Sequence, residues 1–158
     1  MHSIHTVGYI DHVPTSNLVV GCKPSYSSIS IEEIDMDGNL IPLDIQTVNY
    51  DCSIRSCCFN EASNLVCIST ANREVHLWDL SSTSTIHTFD NVNNYHPLTF
   101  LQRFHNTNTW LGSDQSSLVL IDQRESSLTS FSPSISNIHS FSLTPNREYL
   151  RCSFVVYR

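Results

Sequence analysis

The chain has 158 residues, 40% of them hydrophobic and 15% charged, with a net charge of −7, which is enough length and apolar content for one domain with a core. Eight Lys and Arg against fifteen Asp and Glu, with no basic run, argue against nucleic acid as a direct partner. No apolar run reaches the ~20 residues of a membrane helix and no signal-peptide pattern opens the chain, so a cytoplasmic or nuclear protein without membrane contact is expected.

The N-terminal stretch carries His2, His5 and His12 beside Asp11, the one His-rich cluster. A metal site needs three or four converging ligands, and no HExxH is present, so these are expected to be solvent-exposed or structural histidines and no metal is expected. Apolar residues then come in short bursts, as in Asn17–Gly21, Ile29–Ile31, Asn64–Ile68 and Ser117–Ile121, split by Asn, Ser, Pro, Asp and Gly. No segment holds a 3.6-residue apolar period over three turns, and short strands at intervals of about 8–12 residues predict an all-β fold. The clearest local element is a hairpin: Ile31 to Met36 alternates as a strand, Asp37-Gly38-Asn39 turns, and Leu40 to Leu43 returns.

The stretch from Ile54 to Phe89 divides into four strands, 54–59, 65–69, 74–80 and 85–89, joined by FNEASN, TANR and SSTS. Cys57 and Cys58 fall on the first of these, where neighbouring side chains point to opposite faces, so packing rather than redox chemistry is expected of them. The six cysteines form no CxxC, and buried thiols are expected in place of a disulfide framework. A second set of four strands follows at 98–104, 110–113, 118–122 and 128–131. Beyond it, FSLTPNREYL at 141–150 matches Cys58 to Val66, and the chain reaches an apolar strand at Phe154–Tyr157.

These segments repeat. Trp78-Asp79 aligns with Ile121-Asp122, 43 positions on, and Ile34-Asp35 lies 44 positions before Trp78-Asp79. The sequence VHLWDL at 75–80 resembles the third strand of a WD repeat, LVLIDQR at 118–124 is a weakened copy, and FSLTPNREYL is similar to the link between the first and second strands of that family. A four-stranded unit recurring every ~40–45 residues is the signature of a WD-type β-propeller. The resemblance implies four-stranded antiparallel blades at about 4–48, 49–91 and 92–134, with half a blade at 135–158.

Carried over by position, the family's hydrogen-bonded His, Ser/Thr, Asp and Trp set falls on Thr70, Asn72 and Trp78 in blade two. In blade three it falls on His96 and Ser113, with Gln115 at the Asp position and Ile121 at the Trp position. Asn and Gln accept hydrogen bonds without the charge that strengthens them, so inter-blade stability is expected to rest on apolar packing. Complete propellers have about four to eight blades, so an incomplete propeller, a fragment of a longer one, is expected. Two copies completing a ring is the alternative, and an open arc would expose an apolar blade face and associate with itself.

No GxSxG elbow, P-loop or GxGxxG can be written, and Glu32-Glu33 alternate across a strand, so no catalytic residue and no cofactor are expected. The resemblance implies a scaffold that holds proteins or peptides through loops on a rigid frame. Those loops are 71–73, 114–117, 91–97 and 133–137, with Arg73, Asn93, Tyr95, His96, Asp114 and Arg124 as candidate partner contacts. Ile121-Asp122-Gln123-Arg124 is similar to the WDxR ending of substrate receptors in cullin–RING ubiquitin ligases, which would make a ligase adaptor the partner. The plain alternative is an Asp122–Arg124 pair that fixes the turn. A small non-propeller all-β ligand-binding or hydrolase domain is the competing class, and it would scatter as a compact body where a propeller arc is flattened.

Overall fold

The computed structural model describes residues 9–13, 18–22, 27–42, 50–60, 62–90, 96–103, 108–114, 116–125, 127–131, 138–143 and 150–154. Among them the chain is all-β. A first sheet contains β1 (Tyr9–Val13), β2 (Leu18–Cys22), β3 (Ile29–Ile34) and β4 (Leu40–Pro42). A second contains β5 (Ile54–Asn60), β6 (Leu65–Thr70), β7 (Val75–Asp79) and β8 (Ser84–Phe89). A third contains β9 (Phe100–Arg103), β10 (Thr109–Ser113), β11 (Leu118–Asp122) and β12 (Thr129–Phe131), and β13 (Ile138–Leu143) pairs with β14 (Leu150–Phe154). Every strand pairs with its neighbour in sequence, and every pair is antiparallel. Short polar links permit nothing else, because a parallel pair needs a long crossover. No helix among the described residues is long and apolar enough to cross a membrane.

Where they fall on described residues the strands match the expected ones to within two residues, while the expected strand at Phe154–Tyr157 lies, beyond Phe154, outside the described residues. Asp35 N–H donates to the Asn39 carbonyl at 3.0 Å, and Gly38 N–H donates to the Asp35 carbonyl at 3.1 Å with Gly38 at φ 81°. The turn therefore runs from Asp35 to Asn39, and Met36 belongs to it rather than to β3. The Thr70–Glu74 turn repeats this pattern. Thr70 N–H reaches the Glu74 carbonyl at 3.0 Å, Arg73 N–H reaches the Thr70 carbonyl at 3.1 Å, and Arg73 stands at φ 68°.

The packing follows the two-residue alternation of strands. On the second sheet, Cys57, Phe59, Val66, Ile68 and Trp78 pack toward Ile29 and Ile31 of the first. The alternate residues Cys58, Leu65, Cys67, Val75, Leu77 and Phe89 pack toward Leu98, Leu101, Trp110, Val119 and Ile121. Cys57 and Cys58 thus face opposite ways, as their adjacency on a strand predicts. The thiols of Cys52, Cys57, Cys58 and Cys67 are not joined in disulfides, and burial pushes the Cys67 thiol far above its ordinary value. A sheet with both faces covered reads as a nearly continuous apolar run, which is why β6 is buried along its whole length.

One pair of positions holds a tryptophan in both the second and the third sheet, on different strands. In the second sheet Val66 lies opposite Trp78, and in the third Trp110 lies opposite Ile121. Both pairs face the preceding sheet. The large ring has moved to the neighbouring strand and the small aliphatic has moved the other way, so the volume at this layer is kept. In the same layer Gly112 lets Leu98 and Leu101 close on β10, since an added Cβ would stand 2.6 Å from Leu98 Cδ1 and 3.2 Å from Leu101 Cδ2.

The sheets share an orientation. β5 lies against β9 and against β1 and β2. At one end, Ser69 Oγ donates to the Leu98 carbonyl at 2.9 Å and Tyr50 N–H to the Ser27 carbonyl at 2.8 Å. At the other, Asn60 Nδ2 donates to Asn108 Oδ1 at 3.4 Å, and Arg103 Nη1 to Asn60 Oδ1 at 3.4 Å.

Candidate functional site

Loop ends carry the polar chemistry, and the two ends differ. At the exit of each third strand an aspartate folds back on the turn that follows. Asp35 Oδ1 accepts from Asp37 N–H at 2.9 Å, Asp79 Oδ1 from Ser81 N–H at 2.9 Å, and Asp122 Oδ1 from Arg124 N–H at 3.0 Å. In each case the donor lies two residues on, the Asx-turn geometry of aspartate. The Asn39, Ser81 and Ser82, and Arg124 donors hold these three carboxyls below the usual carboxylate range. Arg124 also clamps Asp122 from Nε at 3.0 Å and Nη2 at 2.6 Å.

The opposite end gathers the segments 50–53, 71–74 and 96–99 with residues 114, 116 and 117, because β5, β7, β9 and β11 all begin there. Arg73 and His96 are exposed at this end, while Arg124 lies at the other. Asp114 is buried and committed to its own loop. Its Oδ1 accepts from Ser116 N–H at 2.9 Å, Ser116 Oγ at 3.0 Å, Ser117 N–H at 2.7 Å and Ser117 Oγ at 2.9 Å. Burial pushes this carboxyl up, and the four donors together outweigh burial and hold it low. Asn93, Tyr95 and Gln115 lie outside the described residues, as do the loop 133–137 and the side chains of the N-terminal histidine cluster. Among the described residues no group of three His, Cys, Asp or Glu side chains could hold a metal ion.

The residues placed by the repeat resemblance are distributed as follows. Trp78 is buried between the first and second sheets, and Ser113 is buried on β10, its carbonyl accepting from Thr99 N–H at 2.8 Å. Thr70 is buried, but its hydroxyl donates to the Glu74 carbonyl at 3.4 Å, and Asn72 is exposed in the turn. Neither is bonded to Trp78. At this end of the sheets a polar contact from the second sheet to Leu98 is made by Ser69.

Among the described residues, two grooves open at this end. One, of about 260 Å³, is lined by Arg55, His96, Pro97, Thr99 and Asp114. The other, of about 310 Å³, is lined by Tyr50, Asp51, Cys52, Asn72, Glu74 and His76. In the second, Tyr50 stacks on His76 with ring centroids 4.6 Å apart. Burial raises the Tyr50 hydroxyl to about 12 and lowers the His76 imidazole, against the pull of Glu74 and Asp90.

No protein-family model matches this chain, and no curated protein matches it.

Sequence reasoning missed Tyr50, Asp51, Glu74 and His76, since Tyr50 comes from a link and His76 from a strand 26 positions away. The Asp114 loop did carry a signal, in the Ser residues two and three positions after an Asp.

Arg73 provides a direct test of local strain. A side chain in the left-handed region costs roughly 1–2 kcal/mol, which glycine avoids. Arg73→Gly is expected to raise stability by about 0.5–1 kcal/mol in urea unfolding, the gain reduced by glycine's greater freedom when unfolded. A loss of stability would mean that the arginine side chain makes contacts that outweigh its backbone strain.

Proposed function

We propose that the chain forms blades of a WD-repeat-type β-propeller and works as a non-catalytic scaffold for protein or peptide partners. The observation that carries this reading is the aspartate that folds onto the turn after the third strand in three successive four-stranded meanders, at Asp35, Asp79 and Asp122. Their spacings of 44 and 43 positions match the repeat period of that family. The contact of β5 with β9, β1 and β2 supports it further, since first strands gather toward the axis of a propeller. So does the stacking of sheets face to face through shared apolar layers.

The partner surface is placed at the end bearing the 71–74, 96–99 and 114–117 segments. An exposed arginine kept at a strained backbone position, in a turn where glycine would be at ease, points to use of that side chain. The Asp122–Arg124 clamp favours turn fixing over adaptor recognition at Arg124.

Replacing Arg73 and Tyr95 together by alanine is expected to weaken capture of a cross-linked partner at least fivefold, with unchanged far-ultraviolet circular dichroism. Capture at the original level would place the surface elsewhere on the chain.

A further inference from the structure

Among the described residues, three of the four large hydrophobic side chains that reach solvent stand on one hairpin. Met36 is fully exposed in its turn, and Leu40 and Ile41 on β4 are 52% and 47% exposed. β4 is the last strand of its sheet, and among the described residues no strand pairs with its outer side. The outer strands of the second and third sheets occupy the same place with different chemistry. β8 shows solvent Ser84, Thr85 and Thr88 around Ile86, and β12 shows it Thr129. A free edge is usually protected by charged side chains on the strand itself, and β4 has none. Its one protective residue is Pro42, which removes a backbone donor, so side chains more than a hydrogen-bonded ladder have to carry recognition here. Exposed aliphatic residues gathered on one edge, rather than scattered singly, mark an interaction surface.

Charge decides what covers that edge. Glu33 lies opposite Ile41 and Glu32 opposite Pro42, so each face of the β3–β4 ribbon sets a carboxylate beside an apolar residue. Asp37 adds a third carboxylate next to Met36, whereas Asp35 is committed to its own turn through Asp37 N–H, Asn39 N–H and Asn39 Nδ2. No Lys or Arg occurs between Pro24 and Ile54, and among the described residues Glu32, Glu33 and Asp37 form no salt bridge. Nucleic acid and anionic membrane surfaces are repelled by this hairpin. A second copy of the chain would bring the same carboxylates against these, and like charges in juxtaposition are costly. An extended segment that mixes cations with aliphatic residues meets both the apolar and the acidic parts of the edge.

We propose that the outer edge of the β3–β4 hairpin docks an extended partner segment in which Lys or Arg is interspersed with aliphatic residues. Its aliphatic side chains cover Met36, Leu40 and Ile41, and its cations face Glu32, Glu33 and Asp37. This surface goes beyond the loop-end scaffold reading, because it lies on a strand edge and on the turn at the end of the sheets away from Arg73.

The test is a nuclear magnetic resonance titration of the full chain with the peptide GKVKVKG and with two counterparts, GKSKSKG and GEVEVEG. The first counterpart keeps the charge and removes the aliphatic residues, and the second reverses the charge. Saturable shifts centred on the Met36, Leu40 and Ile41 methyl signals are expected with GKVKVKG, with affinity at least fivefold weaker for GKSKSKG and no binding of GEVEVEG. In a chain carrying Leu40→Thr and Ile41→Thr, both at exposed positions, affinity for GKVKVKG is expected to fall at least fivefold. Equal binding of GKSKSKG overturns the proposal by reducing it to charge attraction, and so do shifts centred elsewhere or none at all. Broadening of the same methyl signals with protein concentration, before any peptide is added, overturns it in favour of a second copy. The three peptide arms use the unaltered chain, so their outcome does not depend on how the double variant folds. Failure here with Arg73- and Tyr95-dependent capture intact would remove the hairpin surface and leave the loop-end scaffold. The reverse pair of results would do the opposite.

Discussion

Trp110→Val is expected to cost about 3 kcal/mol in urea unfolding at neutral pH, and adding Ile121→Trp to return at least 1 kcal/mol of it. Trp110 is fully buried in the layer shared with Leu98, Leu101 and Val119, so its removal leaves a cavity that the surrounding strands cannot fill. The second substitution places an indole on β11 opposite a valine on β10, which recreates the Val66–Trp78 arrangement of the preceding sheet. Recovery follows if the two sheets are versions of one unit in which only the position of the large ring has changed. Additive losses from the two substitutions would mean that the resemblance between the layers is accidental.

The second large effect is expected at Asp114. Asp114→Ala removes the acceptor of two backbone N–H groups and two hydroxyls in a buried loop, a loss of about 2–3 kcal/mol. Asp114→Asn keeps an acceptor oxygen without the charge and is expected to lose about half as much. The pH dependence separates charge from shape. The folded-state carboxyl is held below its unfolded value, so its stabilising contribution is fully present above the ordinary aspartate range near pH 3.9. That contribution is lost as pH falls through the lowered folded value. The gap in stability between the unaltered chain and Asp114→Asn is therefore expected to be constant above about pH 5 and to close in acid. A gap that stays open in acid would assign the loss to packing. Since the 114–117 loop borders the groove of Arg55 and His96, both variants are also expected to alter that groove.

The strands, their antiparallel meander and the repeat period were legible because each rests on short-range chemistry. Alternation at two residues places Cys57 and Cys58 on opposite faces, whatever lies beyond them. An aspartate that caps the N–H two positions on, as Asp35, Asp79 and Asp122 do, needs only its own turn. The turn bounds were less legible. Met36 continues the alternation of β3, yet the Asp35–Asn39 hydrogen bond takes it out of the strand.

The candidate site was read in part. Arg73 and His96 lie at one end of the sheets and are exposed, as loop residues at that end should be. Asp114 was named for the same surface, but its four donors commit the carboxylate internally. Thr70 spends its hydroxyl on the Glu74 carbonyl and Asn72 is exposed, while Ser69, one position earlier, reaches Leu98.

By itself, then, the sequence determined which residues form strands, which face each presents and how often the unit recurs, since alternation, turn chemistry and capping act within a few residues. Only the tertiary structure decided that Trp110 on β10 fills the layer that Trp78 on β7 fills in the preceding sheet, and that Tyr50, Glu74 and His76 meet in one groove. Those outcomes depend on how one sheet lies against another, and that is settled by volumes and charges brought together from distant positions.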